Sequence, residues 1–170
     1  MTLRQKTSAF TLIEILVVVV ILGIVAAIVI PRFANASTQA RESMLAENLR
    51  IIRTQITVFQ GQHSGVAAGY PGLNRTAAPT QAAFLSHMTT ATDQTGALST
   101  AGTPGVYGPY FTSFPSNPLN SLATVLVLTD TETLPAAGDN GYGWVYQPFT
   151  LKFRADSPGT DSNGKNYFEY

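Results

Sequence analysis

Sixteen consecutive residues, Ile15 to Ile30, carry no polar side chain. Extended back to Phe10 the stretch has 21 residues, interrupted by Thr11 and Glu14 alone. Wound as an α-helix it is about 31 Å long at ~1.5 Å per residue, which matches a bilayer hydrocarbon core of ~30 Å. A helix that is apolar around its whole circumference finds no complete cover inside a small domain, so it needs lipid or other copies of itself. Ahead of it, Met1 to Ala9 carries Arg4 and Lys6 and no acidic residue. The positive-inside rule then predicts a cytoplasmic amino terminus, a single span and an exported remainder.

A secretory signal peptide has a shorter apolar core followed by a small-x-small cleavage site. Ala26-Ala27 and Ala34-Asn35-Ala36 supply small residues. The run is nevertheless too long, and an amphipathic helical pattern continues straight past it. A plain signal anchor fits better, except for Glu14. A carboxylate in a membrane segment costs up to ~3 kcal/mol at the centre and less near the end, and such a residue is a functional candidate by default.

The junction reads Lys6-Thr7-Ser8-Ala9-Phe10-Thr11-Leu12-Ile13-Glu14. Thr11-x-x-Glu14 alone is the pattern of a capping box that opens a helix. A short basic leader, a small residue and then FTLIE opening a long apolar helix also closely resembles the class III signal of type IV pilins and type II secretion pseudopilins. The resemblance implies that a membrane-embedded prepilin peptidase cuts on the cytoplasmic side between Ala9 and Phe10. It implies that Phe10 becomes the N-methylated first residue and Glu14 the fifth. The family nearly always has Gly before the cut, and this chain has Ala9. Physically, such a cut leaves the apolar helix on the product. It also creates an amine at Phe10 for which the Glu14 carboxylate, one helical turn on or in a neighbouring subunit, is a partner that neutralises both poorly solvated charges.

Pro31 ends the apolar run, and a proline inside a helix removes a backbone bond and kinks it. The resemblance places a kinking proline here too. Beyond it Phe33, Ala36, Ala40, Met44 or Leu45, Leu49, Ile52, Ile56 and Phe59 recur at spacings of three and four. Arg41, Glu42, Asn48, Arg50, Arg53 and Gln55 fill the other positions, and Arg41, Arg50 and Arg53 read as a solvated face or as contacts for acidic heads of adjacent subunits. Gly61 supplies the stop. One helix is thus expected from about Phe10 to Gln60. The sequence divides as leader 1–9, membrane or filament-core helix 10–30, amphipathic continuation 31–62 and an exported head 63–170.

The head is loop-rich. Thr80 caps a short helix to Met88, Leu122 to Thr129 alternates as a strand, and Gly143–Gln147 with Leu151–Ala155 forms a hairpin around Pro148-Phe149-Thr150. The expected fold class is α+β: a long N-terminal helix whose amphipathic half packs against a small three-stranded antiparallel sheet. Gly108-Pro109-Tyr110-Phe111, Phe114-Pro115-Ser116-Asn117-Pro118 and Gly143-Trp144-Val145-Tyr146 resemble the pseudopilin connector and the strand after it.

Catalysis finds no support. Cysteine is absent, so disulfides, thiolate metal sites and cysteine nucleophiles are excluded. Two histidines and scattered acids build no catalytic set, and His63 reads as a solvated loop residue. Ten basic against ten acidic side chains argue against a phosphate-neutralising nucleic-acid binder. No cofactor is required. Calcium is the single metal candidate, at Asp156, Asp161 and Asn163 among glycine turns, with the Thr129–Gly143 loop and its Asp130, Glu132 and Asp139 a lesser one. The resemblance points to a structural subunit of a type IV pilus-like filament, held in the bacterial inner membrane with its head in the periplasm and most like a major pseudopilin of type II secretion. Its implied partners are membrane lipid, the peptidase, an inner-membrane assembly platform, other copies and minor pseudopilins. A true pilin serving adhesion, motility or DNA uptake is the nearest alternative, and a membrane-anchored enzyme or binding domain a remote one.

Overall fold

The computed structural model describes residues 10–100 and 102–170. The leader and the expected cut at Ala9 lie outside them. The chain divides into a first unit ending at Ala40 and a second, the head, from Arg41 to Tyr170. Helix α1, Leu12–Gln62, belongs to both.

In the first unit every residue from Phe10 to Ile30 is exposed. Leu12–Ile30 is the one helix among the described residues that is long and apolar enough to cross a membrane. α1 runs through Gly23 and Pro31 without a break.

In the second unit the stripe of α1 is realised from Leu45 onward. Leu45, Leu49, Ile52, Ile56 and Phe59 are each at most 1% exposed. Each contributes about 1.5–3 kcal/mol of burial. Met44, the other choice at its position, is 57% exposed. The stop differs from expectation. α1 passes Gly61 and ends at Gln62, because the backbone turns left-handed only at Ser64 (φ 56°) and Gly65 (φ 77°). The Gly65 N–H then donates to Gln60 O at 2.9 Å, capping a carbonyl that would otherwise lack a partner.

Helix α2, Gln81–Thr89, opens where expected, with Thr80 Oγ1 accepting from Ala83 N at 3.1 Å. Its Phe84 and Met88 enter the core. Two short strands unforeseen in the sequence, β1 (Thr92–Asp93) and β2 (Val106–Tyr107), pair antiparallel.

The main sheet has the order β3-β4-β5, with β3 Val125–Val127, β4 Trp144–Gln147 and β5 Lys152–Ala155. β4 and β5 form the expected antiparallel hairpin, closed by a turn at Pro148–Thr150 and by Leu151 at φ 56°. The all-antiparallel expectation fails at β3, which pairs parallel to β4 with Val125 opposite Trp144. The long connection 128–143 returns the chain to the same end of the sheet, which a short turn cannot do. β3 is also shorter than the Leu122–Thr129 alternation.

As the middle strand, β4 is buried on both faces. Trp144 and Tyr146 join the α1 stripe, Phe84 and Phe153 in the main core. Val145 packs on the other side with Leu128 and Phe168.

Candidate assembly site

The site suggested by the sequence is the start of α1. Glu14 Oε2 accepts from Thr11 N at 2.9 Å and from Thr11 Oγ1 at 3.0 Å. Glu14 N donates to Thr11 Oγ1 at 3.3 Å and to Thr11 O at 3.2 Å. The capping box is therefore formed, and it satisfies two backbone donors that a helix start leaves open. Both bonds to the carboxylate fall on Oε2. Oε1 has no partner among the described residues, so capping its own helix and pairing with an amine are compatible for this side chain. Phe10 is 80% exposed. Exposure of this kind, on a helix apolar all round, is what bilayer insertion or bundling with like helices would remove.

The candidate calcium residues fall on two separate networks that hold polypeptide. Asp156 is buried, with Oδ1 accepting from Asp139 N at 2.9 Å and Oδ2 from Tyr142 N at 2.8 Å. Asp161 Oδ1 accepts from Asn163 N and Lys165 N, both at 2.8 Å, and its Oδ2 accepts from the Tyr170 hydroxyl. These bonds keep the Asp161 carboxyl below its usual pKa, the Tyr170 hydroxyl contributing most. Asp130 accepts from Tyr70 Oη at 2.5 Å, and Glu132 is held by Thr129. No group of three or more metal-binding side chains forms among the described residues. The oxygens of Asp156 and Asp161 face N–H and O–H donors and anchor turns.

Two groups read as solvated, Arg53 and His63, are structural, and so is Glu42. Arg53, expected on a solvated face, is half-buried and donates through Nε at 3.0 Å and Nη2 at 2.7 Å to Phe153 O, and through Nη2 to Tyr170 O. Glu42 is 7% exposed and accepts from Ser162 N at 3.1 Å, Ser162 Oγ at 3.0 Å and Tyr167 Oη at 3.0 Å. Together they tie the C-terminal segment to α1. His63, expected in a solvated loop, is fully buried. It bonds Phe59 O at 2.8 Å through Nδ1 and Thr92 Oγ1 at 3.0 Å through Nε2. Its ring stacks on Phe59 at 3.9 Å, and His87 stacks on the same ring at 4.9 Å. His87 Nδ1 accepts from Gly69 N at 3.2 Å. Burial first, then the nearby His63, lowers its pKa to about 4. The spacing of His63 four residues after Phe59, on the stripe's own period, was the available signal for its burial.

Asn117, in the Phe114–Pro118 segment, is also fully buried. It donates to Gly143 O at 2.8 Å and Ser157 Oγ at 2.9 Å, pinning this connector to the start of β4. Trp144 Nε1 donates to Pro115 O at 2.9 Å from the other side.

The model for the prokaryotic N-terminal methylation motif matches residues 4–30. The chain is 40% identical over 57 residues to the type II secretion system core protein G of Pseudomonas aeruginosa, covering 34% of this chain and 40% of that protein. It is 32% identical over 62 residues to the type IV narrow pilus major component PilA5 of Thermus thermophilus, covering 36% of this chain and 53% of that one. The matches thus span about half or less of these curated relatives. No solved structure matches the chain.

Proposed function

We propose, with membership in the type IV pilin and pseudopilin family as the premise, that this chain is a non-enzymatic filament subunit of a type II secretion pseudopilus. It is inserted in the inner membrane with Arg4 and Lys6 cytoplasmic and the head periplasmic. Prepilin peptidase cuts it before Phe10 and methylates the new amine, and the product polymerises through its apolar helix on an assembly platform together with minor pseudopilins. The observation that carries the reading is the exposed apolar helix from Phe10 to Ile30, opened by a carboxylate whose Oε1 has no partner among the described residues. In a water-free bundle that oxygen would meet the Phe10 amine of an adjacent copy, and losing one member of such a pair costs ~3–5 kcal/mol.

The test has two readouts. Intact mass after co-expression with a prepilin peptidase should correspond to a chain starting at N-methyl-Phe10, and a chain retaining Met1 would defeat the reading. Glu14→Ala should be inserted and cleaved but enter filaments poorly in a strain lacking the wild-type subunit, and normal yield would remove the assigned role of Glu14. The similarity to a narrow-pilus component supports a second reading, a true pilin. Deletion distinguishes them: loss of exported proteins from the medium supports the secretion role, and loss of surface fibres with secretion intact supports the pilus.

A further inference from the structure

The imidazoles of His63 and His87 both stack on the Phe59 ring, yet their hydrogen bonds give them opposite responses to a proton. His63 Nδ1 faces Phe59 O, which can only accept, so Nδ1 carries the hydrogen and Nε2 is the basic nitrogen. Nε2 faces Thr92 Oγ1, a hydroxyl that accepts as well as donates, so His63 can take a proton in place. His87 Nδ1 faces Gly69 N, which can only donate. His87 is therefore the Nε2–H tautomer, and its basic nitrogen is the one that receives the Gly69 N–H. A proton reaches that nitrogen only when the bond to Gly69 is broken.

That bond closes a loop. Gly69 O accepts from the N–H of Thr80, the N-cap of α2, at 2.9 Å, so residue 69 meets α2 through both its N–H and its carbonyl. Between Gly69 and Thr80 the backbone bonds are local: Leu73 N to Tyr70 O, Asn74 N to Pro71 O and Ala77 N to Asn74 O. Tyr70 Oη donates to Asp130, which fastens the start of this loop to the connection 128–143.

The ionisable groups around the two imidazoles give His87 no counter-ion. Asp93, on β1, feels the charge of His63. Tyr107 lies edge-on to His63 and Tyr110 edge-on to Phe59. Burial first of all pushes the Tyr70 and Tyr110 hydroxyls up to about 12, so both stay neutral. The charge that bears on His87 is that of His63, which has the same sign.

We propose that the Gly69–His87 contact is an acid-released latch: a proton taken from solvent onto His87 Nδ1 breaks it and frees the 69–80 loop while α1 and the β3-β4-β5 sheet stay folded. The latch does not depend on the filament reading. Its strength follows from linkage. With His87 at about 4 when closed and at the ordinary ~6.5 when released, the opening constant rises about thirtyfold from pH 7.5 to pH 5.

The test uses the full-length ¹⁵N-labelled chain in detergent micelles. Imidazole ¹⁵N spectra at pH 7.5 should show His87 bare at Nδ1 and protonated at Nε2. Amide hydrogen exchange, divided by the intrinsic rate at each pH, should show the Gly69 and Thr80 opening constants rising about thirtyfold between pH 7.5 and pH 5. Those of Leu49 and Ile52 in α1 should stay level. Glutamine offers an acceptor oxygen that does not titrate, so His87→Gln should keep Gly69 protected and make its opening constant independent of pH. An Nδ1–H tautomer in the wild-type chain overturns the latch, and that reading needs no variant to fold. Level opening constants at Gly69 and Thr80 overturn it too. An equal rise at Leu49 and Ile52 marks unfolding of the whole head and also overturns it, as does a pH response that survives in His87→Gln.

Discussion

Replacing Glu42 by Ala tests whether the head is closed by its own C-terminal segment. The Glu42 carboxylate is buried and takes three hydrogen bonds at 3.0–3.1 Å from Ser162 and Tyr167. It has no cationic partner among the described residues, so these donors alone offset its desolvation. Hydrogen bonds to a charged group contribute ~1.5–3 kcal/mol each in isolation, and shared ordering with incomplete desolvation recovery reduces three of them to about 3 kcal/mol together. For a head of this size that is a fall in Tm of about 10 °C. A fragment beginning at Ala34, which omits the all-round apolar run, allows measurement by circular dichroism without detergent. Glu42→Gln keeps the side-chain shape and one acceptor, so its loss should be about half. Tyr167→Phe removes one bond and should cost ~1 kcal/mol. In the double variant, the Tyr167→Phe loss should vanish once Glu42 is already Ala, since the two act through one contact. A Glu42→Ala fragment melting within 2 °C of wild type would refute the reasoning, because the buried carboxylate would then have no net stabilising bonds (the ~2 °C limit corresponds to under ~1 kcal/mol).

Two further predictions concern the same fragment. Gly143→Ala should cost ~3 kcal/mol or more in a urea midpoint measurement, since a Cβ there would sit 2.1 Å from Leu122 O, a backbone atom with nowhere to move; wild-type stability would contradict the close approach. The His87 pKa of about 4 lies below the unfolded value of ~6.5, so the folded head binds fewer protons; stability is complete above pH 6.5 and falls as pH drops toward 4, by at most about 3 kcal/mol. His87→Gln should flatten that slope, and an unchanged pH profile would show that His87 is not its source.

The membrane-length helix, its opening at Thr11 and Glu14, the Thr80 cap and the β4–β5 hairpin were legible in the sequence because each depends on residues within a few positions of one another. An all-apolar run needs no partner to declare itself, and Thr80 caps whatever helix follows it. The stripe was legible in period but not in phase: Met44 and Leu45 are both apolar, and only the packing of the head's core on α1 decides that Leu45 is covered. Tertiary structure alone made β3 parallel, because the path of residues 128–143 fixes its direction and no residue in Val125–Val127 does. It likewise drew Glu42, Arg53 and His63 inside. Their partners, Ser162, Tyr167, Phe153 and Thr92, lie from 29 to 125 residues away. A polar residue on a helix shows in sequence only that it can reach water. Whether it meets water or a distant carbonyl is set by which segment folds over it.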